Sequence, residues 1–100
     1  MSEPPADAET FLAATDTIAA LRSDLSTLEA GLLAALSLDL AADSRSFARV
    51  FGVEHALVLR AVDALTDFGL LTVTGRDRRT QRTRYTVSAS GQDVLTGLAS

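Results

Sequence analysis

The spacing of the apolar residues changes at Gly69. Before it they recur every three or four positions. After it Leu71 and Val73, and later Tyr85 and Val87, alternate with polar residues. Spacing of three and four lines one face of a helix, and alternation lines one face of a strand. The chain is therefore expected to be helical up to Gly69 and to form a β-hairpin after it. The intervening GRDRRTQRTR is polar and opens with Gly75, which reads as a long charged hairpin tip.

The helical part divides at its punctuation. Phe11, Ala14, Ile18, Leu21, Leu25, Leu28, Leu32 and Ala35 form one stripe. Ser23-Asp24 interrupts it, and Ser26 with Glu29 has the spacing of a capping box. This predicts one helix over about 9–22 and a second over about 27–38. The second contains LEAGLLAALSL, apolar almost all round, and should be deeply buried. A third helix is predicted over about 44–51, capped by Asp43 or Ser44, with Phe47, Ala48 and Phe51 facing in. Gly52 stands where a left-handed residue would end it. A fourth starts at Glu54 or His55 and runs to Phe68. Val58, Ala61, Val62 and Leu65 form its core stripe, Phe68 is assigned to the core, and Gly69 closes it with positive φ. Two helices joined by so short a glycine turn form a helix-turn-helix. Ser88 caps a last helix over about 89–98, with Val94, Leu95 and Leu98 on its apolar side. Residues 1–8, MSEPPADA, have no apolar period and are expected to be a disordered tail. The fold class is thus mainly α with a small β-hairpin, a winged helix-turn-helix, in one domain over 9–100 with an extra N-terminal helix.

With 100 residues, 47% of them hydrophobic, there is enough for one packed core. The absence of cysteine and the single histidine argue against a disulfide frame, a thiolate site or a transition-metal centre, and no cofactor is expected. No run of about 18 apolar residues is present, so no membrane partner is expected. Met1 to Asp7 carries acids and no base, unlike a secretory signal, so a reducing cytoplasm is the expected setting. A catalytic triad would require His55 at an exposed helix start, so the chain is not read as an enzyme.

Charge is unevenly distributed. The net charge is −4, but residues 1–43 hold eight acids and one arginine, whereas residues 76–84 hold five arginines and one aspartate. Arg76, Arg78, Arg79, Arg82 and Arg84 can fork onto phosphate or enter a narrow minor groove. Ser44, Arg45 and Ser46 open the third helix, where hydroxyls and free N–H groups can hold a phosphate.

Three segments together resemble the multiple-antibiotic-resistance regulators, the MarR-like family, over about residues 25–98. LSTLEAGLLAAL is similar to that family's first domain helix. FARVFGVEHALVLRAVDALTDFGLL is similar to its helix-turn-helix. GRDRR followed by YTVSASGQDVL is similar to its wing and the start of the helix beyond. The resemblance implies a homodimeric regulator binding double-stranded DNA, with helix 54–68 in the major groove. The reader positions would be Glu54, His55, Ala56, Leu57, Leu59 and Arg60. Of these, His55 and Arg60 suit base or phosphate contact, and Arg60 matches the family's arginine. Leu57 and Leu59 depart from the family's small polar readers; leucine can touch a thymine methyl but donates no hydrogen bond.

VLRAVDALTDFGLLT also resembles the dimerisation domains that precede some small-molecule methyltransferases, which leaves a protein–protein module without DNA binding as the alternative. Under either reading Phe11, Ile18, Leu21, Leu25, Leu57 and Leu59 are candidates for a dimer or partner interface. For the stripe at 11–25, packing on its own domain is equally open. The sequence identifies no small-molecule effector.

Overall fold

The computed structural model describes residues 6–97. Among them the order is α1 (Ala6–Leu21), α2 (Thr27–Ser37), α3 (Ser44–Phe51), α4 (His55–Asp67), β1 (Leu71–Arg76), β2 (Thr83–Val87) and α5 (Ala89–Thr96). This is a mainly helical fold with one small antiparallel hairpin, in the winged helix-turn-helix arrangement. Residues 1–5 of the expected tail, and Leu98, lie outside the described residues. Helix α1 starts three positions earlier than expected, because Ala6 and Ala8 are strong helix formers and extend it.

Helix α2 is the centre. Six consecutive residues, Ala30 to Ala35, are buried, as its apolar circumference requires. Ser26 and Glu29 close the capping box: Glu29 N–H donates to Ser26 Oγ at 3.1 Å and Ser26 N–H to Glu29 Oε1 at 2.9 Å. Helix α1 lies along α2. Ile18 is fully buried against it, and Leu25 is buried in the turn between them. These two candidates for an intermolecular surface are therefore core residues of their own domain. Of that stripe, Leu21 is half exposed and Phe11 is partly buried, stacked on Phe51 at 4.4 Å between ring centroids.

Asp43 caps α3, accepting from Ser46 N–H at 2.9 Å. Gly52 then turns the chain in the left-handed region at φ 65°, and α4 begins three residues later. Helix α4 buries Val58, Ala61, Val62 and Leu65, the stripe read from the sequence. Gly69, at φ 77°, ends that segment. Phe68 is not core: it is exposed, with the Arg22 guanidinium 5.7 Å from its ring centroid. The chain has already begun to turn there, and Leu70, at 1% exposure, takes the interior place.

In the hairpin Val73 pairs with Tyr85 and Arg76 with Thr83, with a bulge between Val73 and Gly75. An isolated antiparallel bridge between Asp43 and Arg84 attaches the residue before α3 to the outer side of β2. The hairpin returns to the domain close to where it left. Ser88 N–H donates to Leu70 O at 3.0 Å, and Ser88 Oγ donates to Gly69 O while capping α5 through Gly91 N–H. A Cβ at Gly91 would collide with the Leu70 carbonyl and Val87, so only glycine lets α5 approach this closely.

Candidate nucleic-acid interface

The wing tip is held by its own aspartate. Asp77 Oδ1 accepts from Arg79 N–H at 2.8 Å and from Thr80 N–H at 3.1 Å, and Asp77 O accepts from Gln81 N–H at 2.7 Å. Gln81 takes the left-handed conformation, φ 63°, that this tight return needs. The Thr80 and Arg79 amides hold the Asp77 carboxyl below its ordinary pKa. Arg78 and Arg79 stand exposed at the tip.

The base of the wing is tied to α3. Arg45 Nη2 donates to Thr80 O at 3.0 Å. Arg82 Nε lies 3.4 Å from Asp43 Oδ1. Arg76 Nε donates to Thr83 Oγ1 at 2.9 Å, and its Nη2 lies 3.6 Å from Asp63 of α4. Between these ties is a cleft of about 490 Å³, lined by Arg45, Arg76, Arg82, Arg84 and Asp77 with Gly75 and Thr80. A neighbouring hollow of about 390 Å³ adds Arg49 and His55. Arg49 was not singled out from the sequence. It stands four residues after Arg45, a spacing that puts both on one helix face.

Ser44 is not a phosphate ligand. It is fully buried, and its Oγ accepts from Thr83 N–H at 2.9 Å and lies 2.7 Å from His55 Nε2. The hydroxyl accepts from the Thr83 amide and shares a second hydrogen bond with the imidazole. Burial, reinforced by Arg45, lowers the His55 pKa and favours the neutral ring. A Ser–His pair at this distance has the look of a nucleophile and its base, yet a hydroxyl without exposure meets no substrate. It is a joint connecting α3, α4 and β2. Ser46 is also engaged, donating from Oγ to Asp43 Oδ2 at 2.9 Å. The anion that the start of α3 favours is the chain's own Asp43 carboxylate. Burial alone would raise its pKa, but the Ser46 N–H and Oγ, with Arg82, outweigh that and hold it low.

Helix α4 presents a different surface. Ala56, Leu57, Arg60 and Asp63 are exposed along it, and Leu59 is half-buried. Leu57 is 43% exposed. Glu54 makes no side-chain cap at its start. Among the described residues Arg60 has no carboxylate within 4 Å and stands free to fork onto an acceptor. A third hollow, of about 470 Å³, is apolar and lies between α1 and α3, with Phe11, Leu12, Leu28, Phe51 and Val53 on its walls. Leu12, exposed there, was missed because it lies beside the stripe rather than on it. Among the described residues no helix is long and apolar enough to cross a membrane. No protein-family model and no curated protein matches this chain.

Proposed function

We propose that this chain is a DNA-binding transcriptional regulator of the winged helix-turn-helix kind, without catalytic activity, acting in the cytoplasm. The observation that carries the reading is the convergence of Arg45, Arg76, Arg82 and Arg84 on one cleft between α3 and the wing, next to the hollow that His55 lines at the start of α4. A basic concavity at that place suits the phosphate backbone of a duplex entering along α4. Arg78 and Arg79 at the tip extend the contact to the next phosphates or into the minor groove. Arg60 is the residue suited to forking onto a guanine edge, and Leu57 offers apolar contact to a thymine methyl. With one such polar reader, most of the affinity comes from phosphates and little from base sequence. The resemblance to MarR-like regulators supports the same reading and adds a homodimer, for which Leu21 and Phe11 are the remaining surface candidates on α1.

The test is fluorescence anisotropy on random duplex DNA across about 50–200 mM salt, where a protein neutralising several phosphates loses affinity steeply. A linear fall of log K with log salt, with a slope of several units, is expected. No binding at the lowest salt would overturn the reading. It would favour a protein-interaction module instead, for which the exposed Leu57 is the specific support.

A further inference from the structure

The arginine cleft has a chemistry of its own, separable from any duplex. Its walls carry four arginines against one aspartate, and that aspartate already holds two tip amides through Oδ1. Three of the guanidiniums are anchored: Arg45 on Thr80 O and Arg82 beside Asp43 by one nitrogen each, and Arg76 by Nε on Thr83 Oγ1 with Nη2 near Asp63. A guanidinium has five N–H donors, so each keeps several for a ligand, and its anchoring reduces the ordering cost of binding. The carboxylates of Asp43 and Asp63 stand 3.4 and 3.6 Å from their arginines on partly exposed side chains, a weak class of ion pair that a phosphate can outcompete. Arg84 is exposed and has no carboxylate within 4 Å among the described residues.

We propose that this cleft is a site for neighbouring phosphoryl groups, an oligophosphate site that a free oligophosphate fills as well as a nucleic-acid strand does. The size argues for more than a single ion: the cleft, about 490 Å³ and open to solvent on one side, is lined by four guanidiniums rather than one. Its composition argues for phosphate rather than nucleobase. The remaining lining, Gly75 and Thr80, offers no aromatic ring on which a base could stack. The proposal deepens the reading of this face as polyanion-binding, and its occupant is the phosphate chain itself.

Sodium tripolyphosphate is the probe, titrated into the full chain without DNA and followed by amide chemical shifts, with duplex binding measured in parallel. Shifts centred on Gly75, Asp77 and Thr80 are expected. Arg84→Ala or Arg45→Ala should weaken tripolyphosphate about tenfold, the scale of one charged hydrogen bond. Arg22→Ala removes the same charge far from the cleft and should change affinity by less than about twofold. Orthophosphate at equal ionic strength should bind at least about tenfold more weakly, lacking the second group. Circular dichroism of each variant separates lost binding from lost fold, and the two cleft variants serve as replicates of one another. Localised shifts together with displacement of duplex by tripolyphosphate would support one site for both sources. Localised shifts in a chain that binds no duplex would support the free oligophosphate as occupant and overturn the DNA reading alone. Duplex binding without tripolyphosphate shifts would overturn the oligophosphate site and leave the DNA reading standing. So would shifts spread over all the arginines, or an Arg22→Ala loss equal to that of Arg84→Ala.

Discussion

Helix α4 and the wing border the same face, but different forces hold them. Helix α4 is fixed by apolar packing: Val58, Ala61, Val62 and Leu65 are buried, and no titratable group lies on that inner stripe. The wing buries Leu71 and Tyr85 at its base, but its outer part is held by polar ties, among them Ser44 to Thr83, Arg45 to Thr80, Arg82 to Asp43, and Asp77 to its own tip. Dispersion and hydrophobic burial are indifferent to pH and moderate salt, whereas hydrogen bonds to charged groups and exposed ion pairs respond to both. Helix α4 is therefore held by the core, and the outer wing by polar ties, two of which reach α4 through Ser44 and Asp63. Their outward chemistry differs in the same sense, since α4 presents Ala56 and Leu57 where the wing presents arginine.

The largest effect should come from the apolar side. Leu65→Ala should cost about 2–5 kcal/mol through the cavity it leaves, a large part of the ~5–15 kcal/mol that holds a domain of this kind together. Denaturant unfolding measures it; a near-neutral result would mean that α4 is not held by packing and would remove the contrast. Ser44→Ala should come next. It deprives the buried Thr83 amide of its acceptor, which costs about 1–3 kcal/mol, and amide exchange should quicken in β2 while α4 stays protected. Uniform quickening of both elements would break the distinction between them.

Acid should act where α3, α4 and the wing meet. The folded pKa of His55 is lowered, so the unfolded chain binds more protons as pH falls below about 6.5, and folding stability declines there. The lowered pKa of Asp43 adds a second loss, as pH falls below about 4 and on through the folded value. The melting temperature should be lower at pH 5 than at pH 7.5, and His55→Ala should shrink the difference. An equal difference in that variant would assign the effect elsewhere.

Smaller still is the stability effect of changing the tip. Arg78→Ala with Arg79→Ala should cost less than about 0.5 kcal/mol of folding, as surface changes do. The same pair should make the salt slope of DNA binding shallower by about two, one for each phosphate contact. An unchanged slope would take the tip out of the interface. Leu57→Ser with Leu59→Ser should barely move stability. The comparison is sharpened by which other property changes: altered preference at thymines with unchanged sedimentation makes α4 a reader, and a shift towards monomer with DNA affinity kept makes it a protein contact.

Much of the fold was legible because its signals are local. The bounds of α3, the caps at Ser26, Asp43 and Ser88, and the left-handed glycines at 52 and 69 each depend on a few neighbouring residues. What was not legible depended on distant parts of the chain. Ser44 reads as an exposed hydroxyl at a helix start until β2, 39 positions later, brings Thr83 onto it. Ile18 and Leu25 read equally as an inner or an outer stripe until α2 covers them. The five wing arginines were visible as a cluster, but their division into an anchored base and an exposed tip was not. Nothing in sequence spacing places Arg45 opposite Thr80 or Asp43 opposite Arg82.

The stapling of the hairpin at Ser88 bears on how a protein like this can change over generations. The excursion from Gly69 to Ser88 spans 19 positions, and its two ends are bound to one another by that serine and by the close seat of Gly91. Beyond the buried Leu70, Leu71, Thr83 and Tyr85, only the exposed tip is without contact to the interior. Inserting residues between Arg78 and Arg79 would cost the exposed hydrogen bonds of the Asp77 turn and, beyond them, only loop entropy, about 0.6 kcal/mol for each doubling of loop length. Reach and charge at the tip can drift, lengthen or be exchanged, while a single methyl group added at Gly91 is felt throughout the base. The arm is a region where novelty is tolerated, and the staple is the reason.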